Sequence, residues 1–208
     1  VDRAKGIDVS HYQNVTSWGD IYDAGISYVG VKATQGNTFT DSKLSAYRAG
    51  VRSMPFVAAF YYHFAAAGDA TAQAGRFMDT VGELRSNERL CLDLEDDKTG
   101  KPTVDLDWAA EFFDALPADR RSLLYTSQRI WLQLGNPTVW APSEKVDLIV
   151  PRYGPDEPRV PGPWPTWMFW QDSEEGVVLG ISGKCDTSVF SGDVDALKAY
   201  AALSSPAP

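Results

Sequence analysis

The sequence predicts an α/β fold whose strands roll into a barrel. Short apolar runs alternate with segments of helical spacing, which implies a largely parallel sheet. The runs are nearly continuous in apolar residues rather than alternating, as expected of strands covered on both faces. Eight such runs can be counted, and eight favours a closed barrel over an open sheet.

Each element has its own signal. Residues 6–10, Gly-Ile-Asp-Val-Ser, form a short strand ending in polar groups. Residues 16–25 have helical spacing, with Trp18, Ile21 and Tyr22 apolar and Gly25 as a stop. Residues 28–34 are the second strand. Residues 41–49 read as a helix, with Leu44 and Tyr47 on one face and Gly50 after its end. Residues 56–64 are a long apolar third strand. Residues 70–81 are helical around Phe77 and Met78, and 90–95 are the fourth strand. An amphipathic helix over 105–116 stops at Pro117. The fifth strand is 122–126, followed by a short helix at 128–134. Strands follow at 146–150, 167–171 and 177–181, with little helix between them, and a helix over 193–203 closes the chain.

Length and composition set the outer limits. The chain has 208 residues with 44% hydrophobic content, enough for one barrel domain over 1–203. The Pro-rich stretch 154–165 reads as a connection, and 204–208 as a frayed tail. A net charge of −9 argues against nucleic acid or an anionic membrane as partner. No apolar run reaches membrane-spanning length. The chain begins at Val1 with neither Met nor a signal peptide, which fits a processed, secreted protein. Two cysteines, Cys91 and Cys185, are too few for a disulfide framework or a zinc site; buried thiols and a single disulfide both remain open. His11 and His63 are isolated, so no metal or other cofactor is expected, and His63 reads as a hydrogen-bonded core histidine.

The chemistry concentrates in Cys91-Leu92-Asp93-Leu94-Glu95. Side chains two apart on a strand share a face, so Asp93 and Glu95 emerge together where the strand leaves the core. Like charges that close separate their pKa values, so one carboxyl keeps its proton while the other is ionised. An acid beside a carboxylate can cleave a glycosidic bond. Other polar residues fall at or near strand ends: Asp8, Lys32 and Gln35, Tyr62, Tyr125, Arg152, Trp170 and Gln171, and Asp186. In a parallel barrel those ends meet at one rim and build an acidic, aromatic-lined bowl. Lys32 and Arg152 either touch substrate or neutralise the acids.

The motifs resemble those of the family 25 glycoside hydrolases, the Chalaropsis-type lysozymes. Residues 6–13 are similar to the family's opening strand, 31–36 to its second, and Tyr62-His63-Phe64 to the end of its third. Leu92-Asp93-Leu94-Glu95 resembles its Asp-x-Glu signature. Leu124-Tyr125-Thr126, residues 167–171 and residues 185–190 resemble the later motifs. The resemblance implies an irregular TIM-like barrel, five β/α units followed by three strands with little helix. It implies an N-acetylmuramidase that cuts the β-1,4 bond between N-acetylmuramic acid and N-acetylglucosamine in peptidoglycan. Asp8, Asp93, Glu95 and Asp186 would be the catalytic acids, with Glu95 as general acid; the substrate's acetamido group is the favoured nucleophile, and an enzyme carboxylate is the alternative. Tyr62, Tyr125, Trp170, Gln171, Arg152, Lys32 and Gln35 would contact sugar. The protein would act as a monomer outside the cell, or as a phage lysin. A chitinase-like glycosidase and a non-catalytic peptidoglycan-binding protein are the alternatives. Gln35 stands where Glu is usual, Asp172 where an aromatic is usual, and Ile149 and Pro151 replace Trp and Ala.

Overall fold

A computed structural model describes residues 2–154 and 156–202. Eight strands close into a barrel: β1 (Lys5–Val9), β2 (Ile26–Gln35), β3 (Ala58–Phe64), β4 (Glu88–Asp93), β5 (Ser122–Tyr125), β6 (Val146–Pro151), β7 (Phe169–Gly176) and β8 (Cys185–Phe190). β1 to β7 pair in sequence order and in parallel. β8 runs antiparallel to both β7 and β1 and closes the ring. The connection from β7 to β8 is too short for the crossover a parallel strand would need.

Helices follow each of the first five strands: α1 (Trp18–Asp23), α2 (Leu44–Ser53), α3 (Ala70–Val81), α4 (Leu106–Asp114) and α5 (Gln128–Gln133). Among the described residues no α-helix separates β6, β7 and β8, and α6 (Val194–Ala202) follows β8. Five of these helices start on a side-chain cap. Ser17, Asp69, Asp105, Ser127 and Asp193 each accept an N–H from the first turn. The expected end of the last helix, Leu203, and the tail 204–208 lie outside the described residues.

Two apolar layers result. One lies between the barrel and its helices and includes Phe77, Phe112, Trp131 and Trp164. The other includes Tyr28, Phe60, Cys91, Leu123, Ile149, Phe169 and Phe190, with Leu197 and Ala201 of α6 packed against it. These residues sit at matching register positions across neighbouring strands and share the inner face.

Three expectations from sequence need correction. Residues 177–181 are not the eighth barrel strand. Val177 and Leu179 are 83% and 66% exposed, and only Ile181 and Ser182 pair, with Asn14 and Val15. The strand is Cys185–Phe190, disguised by the polar residues it turns toward the bowl. Helix α2 continues past Gly50, which is a packing glycine and not a stop. A Cβ there would meet the Trp18 ring at 1.9 Å. Strand β4 begins earlier than expected, at Glu88. This charged residue is buried because Arg52, the Tyr61 hydroxyl and the Arg85 N–H satisfy its carboxylate.

Candidate active site

Along each strand the inward positions climb from apolar to polar. β4 goes from Cys91 to Asp93, β5 from Leu123 to Tyr125, β7 from Phe169 to Gln171, and β3 from Phe60 to Tyr62. β8 is reversed, so Asp186 at its start reaches the same rim and lies opposite Asp8 of β1 in register. The result is a cleft of about 230 Å³. Asp8, Asp93, Glu95, Asp186, Lys32, Tyr62, Tyr125 and Gln171 all line it, with Phe60 and Cys91 among the apolar lining. Gly30 leaves the space for this, since a Cβ would sit 2.0 Å from Asp8 Oδ1 and 2.5 Å from the Phe60 ring.

The acids form two like-charged pairs. Asp93 ends β4, with its carbonyl accepting the Ala65 N–H, and Leu94 donates to Tyr125 O. Leu94 is fully buried, so Asp93 and Glu95 on either side of it turn into the cleft. The Glu95 carbonyl accepts from the Thr103 N–H at 2.9 Å and its hydroxyl at 3.3 Å. Burial, then Glu95, pushes the Asp93 carboxyl well above the usual range. Burial, then Asp96, raises Glu95. Both carboxyls are thus raised together, and the two titrate as a pair that can hold one proton between them.

On the far wall, burial and the facing Asp186 push Asp8 up to about 7. Asp186 itself rises to about 6 through burial and Glu174. Asp8 Oδ2 accepts from Gln171 Nε2 at 2.8 Å, and Gln171 Oε1 accepts from the hydroxyls of Tyr125 (2.8 Å) and Tyr153 (3.2 Å). Gln171 thus ties one acid to two tyrosines. Asp8 Oδ1 and Asp93 Oδ1 have no protein partner. Burial holds the Tyr62 and Tyr125 hydroxyls protonated, far above 10.

Several expected contacts fall elsewhere. Trp170 is not on the cleft; it is 6% exposed, packs on Trp167, and donates its indole N–H to Arg152 O. Adjacent strand residues face opposite sides, so Gln171 pointing inward sends Trp170 outward. Arg152 is outside the lining and faces Asp156 at 3.7 Å. Gln35 is also off the lining, but its Oε1 accepts from Lys32 Nζ at 3.0 Å and steadies it. His63 is structural: it bonds Thr34 and Gln73, stacks on Phe112, and burial pulls it down to about 4. Cys91 and Cys185 are free buried thiols. Sequence reasoning missed Tyr12, Gln13, Phe64 and Tyr153. Ser10, Phe60 and Phe64 follow from strand parity, whereas Tyr12 and Tyr153 sit beyond strand ends where parity gives no signal. Among the described residues no three His, Cys, Asp or Glu side chains are grouped to hold a metal ion.

A barrel with clustered, proton-sharing carboxyls at the open end of its strands defines a glycoside hydrolase. The family model for glycosyl hydrolases family 25 matches residues 7–181, and the chain belongs to that family. It is 32% identical to lysozyme M1 of Streptomyces globisporus, over 95% of this chain and 71% of that protein. It is 27% identical to the N,O-diacetylmuramidase of Chalaropsis sp, over 95% and 98%. The crystal structure of the bacterial lysozyme from Streptomyces coelicolor superposes with a TM-score of 0.85 at 31% identity, covering 97% and 98% of the two chains.

Proposed function

We propose that this enzyme is a muramidase that hydrolyses the β-1,4 bond between N-acetylmuramic acid and N-acetylglucosamine in peptidoglycan. The observation that carries the reading is the convergence of Asp8, Asp93, Glu95 and Asp186 on one cleft. The lysozyme and muramidase relatives supply the substrate class.

Glu95 is the general acid that protonates the leaving oxygen. Asp93 and Glu95 leave the same strand end, which places both on one side of the scissile sugar. Attack from the opposite face is therefore assigned to the substrate's own 2-acetamido oxygen, which closes an oxazolinium ring as the leaving sugar takes the Glu95 proton; water, giving its proton to the now ionised Glu95, then opens that ring with net retention. Asp93 accepts the acetamido N–H; that contact favours its ionised form and keeps the proton of the pair on Glu95. Asp8 and Asp186, once ionised, stabilise the oxocarbenium-like charge. Tyr125 and Tyr153 commit their protons to Gln171, so their remaining lone pairs face the sugar as acceptors.

The enzyme acts as a monomer on cell-wall glycan outside the cytoplasm, as a secreted enzyme or a lysin. No helix among the described residues is long and apolar enough to cross a membrane. Digestion of purified peptidoglycan, with mass analysis of the new reducing ends, tests the reading. Muramic acid at those ends supports it; glucosamine there, or no release, contradicts it.

A further inference from the structure

Tyr12 is 81% exposed, yet it lines the cleft and rests on an anchored neighbour. Its ring lies against His11, with centroids 4.0 Å apart. His11 is pinned twice to Asp41 Oδ2, through Nδ1 at 2.7 Å and its backbone N–H at 2.9 Å. Asp41 is only 3% exposed and also accepts the Lys43 N–H. The turn carrying Tyr12 is fastened at its other end as well. Gln13 O accepts from Lys43 Nζ and from the Tyr47 hydroxyl, both at 2.6 Å. An exposed tyrosine on a loop ordinarily loses its rotamer freedom only when something binds it. Here the residues on both sides of Tyr12 are already fastened.

The ring does not stand alone. Phe39, 38% exposed, lies 5.4 Å from His11 on the other side. Lys32 Nζ sits over both Phe39 and Phe64, at 5.8 and 5.2 Å. Tyr12, His11, Phe39, Lys32 and Phe64 therefore form an unbroken path from the outer lip into the cleft that holds the acids.

We propose that this ledge is a distal sugar subsite, in which Tyr12 stacks on a pyranose ring of the glycan strand one or more units away from the cleaved bond. The proposal rests on the glycan-hydrolase reading of the cleft and extends it to the recognition of strand length. The apolar face of a pyranose matches a preformed aromatic platform, and a pinned ring gains more from stacking because less freedom is lost. His11 and Asp41 act through Tyr12 as positioning residues and touch no sugar.

The test is calorimetric binding of N-acetylglucosamine–N-acetylmuramic acid oligosaccharides of increasing length, with N-acetylglucosamine oligomers alongside. The full chain carrying Glu95→Gln keeps the probes intact. Affinity is expected to rise with length, and adding Tyr12→Ala should cost about tenfold on the longest probe. Tyr12→Phe should restore that gain, since it keeps the ring without the hydroxyl. His11→Ala should lose part of it, since it frees the ring without removing it. An identical length dependence in Tyr12→Ala overturns the proposal, as does a Tyr12→Phe protein that behaves like Tyr12→Ala, or no saccharide binding at all. The activity reading fails separately: unsubstituted enzyme that releases no reducing ends from peptidoglycan would refute it, even if the length-dependent loss at Tyr12 is observed.

Discussion

The cleft has two acidic walls, and they are built in opposite ways. Asp93 and Glu95 come from one strand end, two residues apart, and each shifts the other's titration. Asp8 and Asp186 come from opposite ends of the chain and face each other because β8 runs antiparallel to β1. On the first wall local backbone geometry sets the chemistry. On the second, closure of the barrel does. The first wall is assigned the proton transfer, which needs two groups in fixed relation. The second is assigned charge stabilisation, which tolerates looser placement.

The largest expected effect lies on the first wall. Glu95→Gln should lower kcat on peptidoglycan by about 10²–10⁴-fold, the usual worth of a general acid. Glu95 borders the cleft, so the circular dichroism spectrum and melting transition should be retained. Normal turnover would remove Glu95 from the mechanism. Asp186→Asn on the second wall should cost less, about 10–100-fold in kcat, because Asp8 still supplies negative charge. A loss as large as that of Glu95→Gln would mean that the two walls share one role.

The second wall should also show itself in stability. The folded protein raises Asp8 from 3.8 to about 7, so folding favours its protonated form. That contribution is complete below about pH 4 and is lost as pH rises through about 7. Asp8→Asn cannot ionise and should gain on the native protein as pH rises. At pH 8 the gain should reach up to about 4 kcal/mol in chemical denaturation, and it should vanish near pH 4. An equal difference at both pH values would contradict the burial of Asp8 as an acid.

The smallest effect concerns the support of the first wall. Arg129 of α5 pairs with Asp96 at 2.8 Å and donates to Gly100 O, holding the segment that carries Glu95. Asp96 is the leading charge that raises Glu95. Arg129→Ala should leave Asp96 uncompensated and move the alkaline limb of the pH–rate profile upward by about half a unit, screened because the pair is partly exposed. A downward movement would reverse the assigned role of Asp96.

The same contrast explains what could be read from sequence. The Asp93–Glu95 wall is legible because a two-residue period is enough to put both on one face. Asp8 and Asp186 can be named as strand-end acids, but their pairing depends on the direction of β8, which periodicity does not encode. The polar inner face of β8 hid the strand itself, while the apolar but exposed Val177 and Leu179 imitated one. Trp170 looked like a sugar platform by composition. Strand parity, applied to Gln171, already excludes it. Arg152 and Gln35 share the rim by position in sequence, and their side chains are drawn instead to Asp156 and Lys32. Tyr153 and Tyr12 lie on loops, where only tertiary structure determines direction. The five β/α units and the helix-poor final strands were legible because no helical spacing falls between the strand signals after α5, until α6 closes the chain.

The central claim is the division of labour between Asp93 and Glu95, and an aryl glycoside tests it most directly. A 2,4-dinitrophenyl β-glycoside of an N-acetylated sugar departs without needing a proton. Glu95→Gln should release the first equivalent of dinitrophenolate at close to the native rate while remaining inactive on peptidoglycan, and Asp93→Asn should be impaired on both. If Glu95→Gln is equally impaired in that first release, Glu95 is not the proton donor and the assignment of the two carboxyls is wrong.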